Sequence, residues 1–498
     1  MALLLLPLGV RAQPAPLEGF TDYVTAGMQD WDVPGLAVAV VKDGETVWSQ
    51  GFGVRDVRTG EPVDENTLFA IGSASKAFTS LAVATLVDEG VLEWDDRVTD
   101  HLPGFQTSDP YVTRELTLRD ILSHRSGLNR GDQVWYAMDV GRDEILERVR
   151  YQPPTTSFRS AFGYNNNMFL AAGQIVQART GRSWGQIIER RFFAPLGMAR
   201  SVTSIRALDG VENVASPHWE IDDEVQVVPW RDIDNIAPAG SIISSAAEMD
   251  EWVKLHLAGG SYGGVEIVSE AALGETHRPH TIIPLQPPWG LMAPEAHFLT
   301  YGLGWFLSDY RGRKAVAHGG NIDGMSALVG MLPEEGLGVV VLTNMNGTFL
   351  PYALMHRVFD HYLGAPEGGM RDWSGEMAAS FAELEAAAEA QAEATREARA
   401  EGTRPSLSLE SYAGTYRHPM FGDLTLSLEG GGLVARRHTA WVGDLEHWHY
   451  DTFQIDWRDA TMGEQLMTVR LDAMGEPVAV ELQGSEGVFE RVDEEGGG

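Results

Sequence analysis

The sequence contains no cysteine. Thiol nucleophiles, disulfide staples and thiolate-bound zinc are thereby excluded from its chemistry. Lysine is nearly as scarce. Only Lys42, Lys76, Lys254 and Lys314 occur, and every other basic side chain is arginine, so a lysine in a reactive pattern carries unusual weight. Positive charge as a whole is in deficit, with 37 Lys plus Arg against 71 Asp plus Glu and a formal net charge of −34. Such a field repels phosphate backbones and excludes nucleic acid as a partner. Long apolar runs are also missing. Beyond the amino-terminal stretch Ala2 to Val10, no run approaches the ~20 residues that a membrane-spanning helix needs, so no integral membrane association is expected.

What is present describes an ordinary folded chain. It has 498 residues, 44% hydrophobic and 9% aromatic, enough for two or three domains with sizeable cores. The apolar stretch Ala2 to Val10 is followed by Val10-Arg11-Ala12, a small-residue pattern after which a signal peptidase could cut before Gln13. Residues 1–12 therefore read as an export signal, although no Lys or Arg precedes the apolar run, and the mature chain is expected in a periplasm or outside the cell.

A β-rich run from Leu36 to Val41 meets Asp43-Gly44 and continues as Thr46-Val47-Trp48, the pattern of a two-residue hairpin turn. After Ile71-Gly72 the spacing becomes helical, with Phe78, Leu81, Ala82, Thr85 and Leu86 repeating until Gly90 stops it. Several short helical stretches fill Leu92 to Arg200. From Tyr301 the β signal returns in Leu303–Leu307, Lys314–Ala317, Met325–Leu332 and Gly338–Thr343. This order predicts an α+β domain over 20–365 whose antiparallel sheet is completed by both ends of the segment. An Ala- and Glu-rich helix follows over 370–402, its Glu389, Glu393 and Glu397 forming a solvated like-charge stripe. Short β runs over 405–495 predict a small all-β barrel or sandwich.

The chemistry concentrates in three places. Ser73-Ala74-Ser75-Lys76 is the only Ser-x-x-Lys in the chain and falls where a helix begins. Three residues apart on a first turn, the two side chains share a face. The helix amino terminus favours an oxyanion formed on a carbonyl that Ser73 attacks, and a desolvated lysine loses basicity and can take the serine proton. Tyr164-Asn165-Asn166 precedes a helix carrying Met168, Leu170 and Ile175, which places Tyr164 open to the cleft, where the Lys76 cation could favour phenolate. His318-Gly319-Gly320-Asn321 follows an apolar run, at or near an edge strand whose glycines would let a substrate backbone approach.

Together these pieces resemble the serine β-lactamase and penicillin-binding-protein superfamily, and most closely its class C β-lactamase-like branch of D-aminopeptidases, carboxypeptidases and esterases, which uses Tyr-x-Asn. Leu122 to Leu128, Leu196-Gly197-Met198, Pro238-Ala239-Gly240 and Tyr301 to Trp305 are similar to that branch as well, so the resemblance spans about 20–360. Leu409 to Tyr416 looks like the start of the lipocalin-like barrel appended to some members. The resemblance implies that Ser73 is the acylated nucleophile and that Lys76 and Tyr164 share its proton and later activate water. It further implies that Asn166 holds Lys76 and the substrate amide, and that His318 replaces the Lys of Lys-Thr-Gly, with Gly319 and Gly320 on the substrate-binding strand. The backbone N–H groups of Ser73 and Asn321 would form the oxyanion hole. Having His318 and Gly319 in place of Lys and Thr removes a fixed cation and a hydroxyl that would grip a β-lactam carboxylate, and this favours peptides or esters.

The expected protein is an exported, metal- and cofactor-free serine hydrolase, most simply a D-amino-acid-type peptidase. An esterase, a class C-like β-lactamase and a penicillin-binding or peptidoglycan-sensing module with slow deacylation remain as alternatives. The small peptide, ester or β-lactam-like substrate would be sorted by loops near Trp135, Tyr136 and Trp230. Three other patterns read as structural. Gly259-Gly260-Ser261-Tyr262-Gly263 follows a helix-like stretch rather than the strand that a nucleophile elbow needs. His124 beside Ser123 reads as a turn, and His447 with His449 reads as a barrel pair without a third metal ligand.

Overall fold

A computed structural model describes residues 17–364, 369–484 and 487–492; the expected export signal lies outside the described residues. After helix α1 (Phe20–Asp30), strands β1 (Gly35–Lys42) and β2 (Glu45–Gly53) form the hairpin anticipated at Asp43-Gly44. Both turn residues have positive φ, 52° and 83°, as a turn matched to strand twist requires. The central helix α2 (Ser75–Asp88) follows, then a mostly helical insert containing α3 (Asn166–Thr180) and α4 (Ala246–Leu257). The sheet resumes with β3 (Thr281–Ile283), β4 (Leu299–Tyr301), β5 (Phe306–Tyr310), β6 (Arg313–Ile322), β7 (Met325–Leu332) and β8 (Leu337–Thr343), closed by α5 (Leu350–Leu363).

The eight strands are ordered β2-β1-β8-β7-β6-β5-β4-β3, with β1 antiparallel to β8 and Leu36 opposite Thr343. The sheet is thus sealed by the two ends of the domain, as the sequence predicted. Strands β1, β7 and β8 are buried almost throughout because helices cover both faces. One face packs α2 and the helical insert, the other α1 and α5. Every residue of α2 from Ser75 to Leu86 is buried, with Phe78 stacked on Trp252 of α4 at 3.6 Å. A helix enclosed on all sides needs no polar face, which explains the run of small and apolar residues around Lys76.

Helix α6 (Trp373–Glu397) leads to the second region. Only its first turns are buried, through Trp373, Ser374 and Met377. Arg396 lies against Glu389 and Glu393, which relieves part of the expected like-charge stripe. Eight strands from Gly414–His418 to Val488–Arg491 then close a barrel in which each strand pairs with its sequence neighbours and the last with the first. Tyr416, Leu424, Phe453, Trp457, Met467 and Phe489 are buried in it, so side chains fill the interior, as in other small barrels. Among the described residues no helix is long and apolar enough to cross a membrane.

Candidate active site

Ser73 sits in a short 3-10 turn, Gly72–Ala74, that runs directly into α2. The turn is clamped against β6. A Cβ on Gly320 would stand 1.8 Å from the Ile71 carbonyl oxygen and 2.8 Å from the Ser73 amide nitrogen. One on Gly72, whose φ is +50°, would stand 2.8 Å from the Asn321 amide nitrogen. Only glycine permits this approach, and it brings the backbone at Asn321 against the turn that carries Ser73.

Lys76 is fully buried. Its Nζ donates to Ser73 Oγ at 3.0 Å and to the Ala239 carbonyl oxygen at 2.7 Å, and it lies 4.8 Å from the Tyr164 ring centroid. Burial holds the ammonium well below its ordinary range, against the opposing charge of Asp132; desolvation disfavours the charged form. Tyr164 lines the same cleft as Ser73 and precedes α3, whose amino terminus is capped by Asn165 accepting from the Met168 amide at 3.1 Å. The sequence places Tyr164 open to the cleft, and it does line that space, but the expected phenolate is not favoured: the side chain is only 7% exposed, and burial pushes the phenol up, outweighing the neighbouring Ser73 hydroxyl and Arg130. The resting group is a neutral phenol.

His318 is likewise buried. Its Nδ1 lies 2.6 Å from the Gly319 carbonyl oxygen and its Nε2 2.8 Å from the Tyr301 hydroxyl. A carbonyl only accepts, so Nδ1 carries the proton and Nε2 accepts from Tyr301. Burial and Lys76 push the imidazole pKa down to about 3, so it is neutral in ordinary conditions. Its strand is not an edge: β3, β4 and β5 extend the sheet past β6, because Thr281 to Tyr310 supply three strands that the sequence pattern left partly unread.

Two further expectations change. Asn166 does not hold Lys76. Its Nδ2 donates to Asp132 at 2.8 Å, while Lys76 turns to Ser73 and to a carbonyl 163 residues downstream. Trp135, Tyr136 and Trp230 do not line the cleft either. Ser73, Tyr164, His318, Gly319, Gly320 and Asn321 do, in an open space of about 880 Å³ walled by Trp289, Met292, Phe306, Phe349 and Tyr352. Trp135 instead donates its indole N–H to Asp132 at 3.0 Å. Arg130, which the sequence reading missed, is the one arginine or lysine on this wall; its guanidinium lies 5.2 Å from the Tyr164 ring centroid and donates to Asp132 at 3.1 Å.

The patterns read as structural have local partners. His124, at φ 55°, accepts from the Asn165 amide at 3.1 Å and stacks on Tyr164 at 4.3 Å, so it supports the tyrosine from below. Ser261 lies in a short hairpin after α4. His447 Nε2 lies 2.9 Å from the Tyr450 carbonyl oxygen, and His449 Nδ1 accepts from the Ala400 amide.

A serine whose hydroxyl meets a desolvated amine, beside a phenol and against the backbone at Asn321, is arranged for acyl transfer. Comparison with known proteins agrees in kind. Residues 20–359 match the family model described as Beta-lactamase, and 398–494 match a domain of unknown function, DUF3471. The chain is 30% identical over 459 residues, 85% of its length and 79% of the relative's, to "Unguisins hydrolase ungD" of Aspergillus violaceofuscus. It is also 30% identical over 324 residues to "Penicillin-binding protein 4" of Amycolatopsis lactamdurans, covering 63% of this chain and 81% of that one. Among solved structures, the octameric penicillin-binding protein homologue from Pyrococcus abyssi superposes with a TM-score of 0.63 at 22% identity, over 95% of this chain and 98% of that one.

Proposed function

The chain belongs to the beta-lactamase family, within the serine β-lactamase and penicillin-binding-protein superfamily, and from that premise we propose that it is a hydrolase working through an acyl-enzyme on Ser73. The 3.0 Å separation of the fully buried Lys76 Nζ from Ser73 Oγ at the cleft wall carries the reading. With one proton lost, the Lys76 amine accepts the Ser73 proton as Oγ bonds to the substrate carbonyl carbon. The oxyanion is met by the Ser73 and Asn321 amides. Tyr164, held neutral by burial and beside Ser73 in the cleft, donates its proton to the departing amine or alcohol as that bond breaks, and Lys76 returns a proton to the phenol. Water then attacks the ester, giving its proton to the same pair, and Ser73 Oγ leaves reprotonated.

The substrate follows from what surrounds Ser73. A neutral His318 offers no cation for a carboxylate beside the scissile bond, and the aromatic wall favours an apolar group. The proposed substrate is an amide or ester next to a D-configured or small acyl residue, with a peptidase activity favoured, on an exported protein. The hydrolase and penicillin-binding names of the relatives support the reaction class. The test is a panel of p-nitrophenyl esters, D- and L-aminoacyl anilides and a chromogenic cephalosporin on wild type and Ser73→Ala. Turnover of the ester and of the D-aminoacyl anilide, lost in the variant, is expected. Turnover that survives the substitution overturns the nucleophile, and a stable penicillin adduct without turnover replaces the hydrolase by a slow-deacylating binder.

A further inference from the structure

The segment after Arg130 touches the catalytic centre at one end and the carboxy-terminal barrel at the other. At the inner end, the Asp132 carboxylate accepts from Asn166, Trp135 and Arg130, and its charge faces Lys76. At the outer end, the next residue's carbonyl oxygen, that of Gln133, accepts from Arg437 Nη2 at 2.6 Å. The Tyr136 carbonyl oxygen accepts from the Trp441 indole N–H at 3.0 Å. Arg437 and Trp441 both belong to the barrel.

Arg437 is an unusual residue for a barrel to carry. It is only 6% exposed and makes no ion pair among the described residues; its remaining hydrogen bonds run to the Phe421 carbonyl oxygen and to Gln133 Oε1 at 3.4 Å, and its other neighbours are the rings of Phe421, Trp441 and Phe489. A buried cation without a carboxylate is costly unless its donors are satisfied. Here the catalytic domain's loop supplies an acceptor, so the mouth of the barrel is built to receive it.

A second line runs to the other side of the cleft. The Tyr136 hydroxyl donates to both oxygens of Asp323, at 2.8 and 2.7 Å, and Asp323 stands two residues after Asn321 in the turn that ends β6. Arg231 Nε donates to the same carboxylate at 2.5 Å, while its Nη2 reaches Asp459 at 2.9 Å and Thr461 at 3.1 Å on the barrel.

We propose that the barrel braces the catalytic cleft: Arg437 and Trp441 hold the 130–136 segment, and the Asp459–Arg231–Asp323–Tyr136 chain ties it to the β6 turn, so that Asp132 and Asn321 keep their places around Lys76 and Ser73. Arg437 and Arg231 are positioning residues in this scheme. It gives the region matched only by a domain of unknown function a task that its filled interior allows, and it rests on Ser73 being the nucleophile.

The test uses the full chain and a fluorescent fluorophosphonate that labels activated serines. The pseudo-first-order rate constant of labelling is read, since unlike the amplitude it does not depend on how much of a sample is folded. Displacement of a reacting geometry from afar costs up to ~10²-fold. Arg437→Ala, Arg231→Ala and Asp459→Ala should each lower the rate constant by about 10-fold or more. Arg231→Ala with Asp459→Ala should lose no more than the larger single change, as members of one chain do. The exposed barrel pair Arg417–Asp423 supplies the control, and Arg417→Ala should label at the wild-type rate. Wild-type rate constants in all three variants, or additive losses in the double variant, overturn the brace. Labelling absent from wild type, or retained in Ser73→Ala, overturns the Ser73 reading instead. The brace is then judged by hydrogen exchange at the Trp135 and Tyr136 amides, which must accelerate in Arg437→Ala; unchanged exchange overturns it.

Discussion

Lys76 is the only one of four lysines that is fully buried, and burial makes it a base. Burial holds its folded pKa well below the ordinary lysine range, so between the folded and unfolded pKa the unfolded chain binds the extra proton. Stability in that window must therefore rise with pH. Acylation of Ser73 must rise over the lower edge of the same window, as the amine becomes neutral. Lys76→Met should remove both slopes, abolishing labelling while flattening the pH dependence of denaturant midpoints; a retained slope would locate the proton elsewhere. Ser73, Lys76 and Tyr164 could be read in sequence because short spacings and a helix start place them. The Ala239 carbonyl and Asp132 could not, since each arrives from a distant segment and offers no side-chain pattern of its own. That His318 supplies no fixed cation was legible from the residue type alone; its complete enclosure beside Lys76, which lowers its pKa further, was not, nor was the hydrogen bond from Tyr301.

At the scale of elements, the close contact of the Ser73 turn with β6 is the critical joint. The hairpin β1–β2 and strands β6 to β8 were legible from alternation and turn residues, and α2 from its spacing. The short strands β3 and β4 carried too little pattern, and that concealed the interior position of β6. Gly320→Ala tests the joint. The added Cβ would meet the Ile71 carbonyl oxygen and the Ser73 amide, which are backbone and cannot rotate away. A cost of about 2 kcal/mol, in the range of overpacked cores, should lower the unfolding midpoint. The Ser73 labelling rate should fall by about 10²-fold as turn and strand separate. A wild-type midpoint and rate would show that the contact is looser than described.

At the scale of the whole molecule, the division into a catalytic region, a connecting helix and a barrel was legible from composition shifts near Trp373 and Gly402. The contact between barrel and cleft was not, because it joins residues some 300 positions apart, such as Gln133 and Arg437, through backbone carbonyls. The net charge of −34 is not repeated in the cleft, where, among the described residues, the wall carries Arg130 and no carboxylate. The most direct measurement mixes the full chain with p-nitrophenyl acetate, quenches in acid, and follows intact mass with peptide mapping. A single acetyl group on Ser73, formed within the dead time of turnover and missing in Ser73→Ala, is the predicted result. Acetylation at another residue, or undiminished in Ser73→Ala, would contradict it.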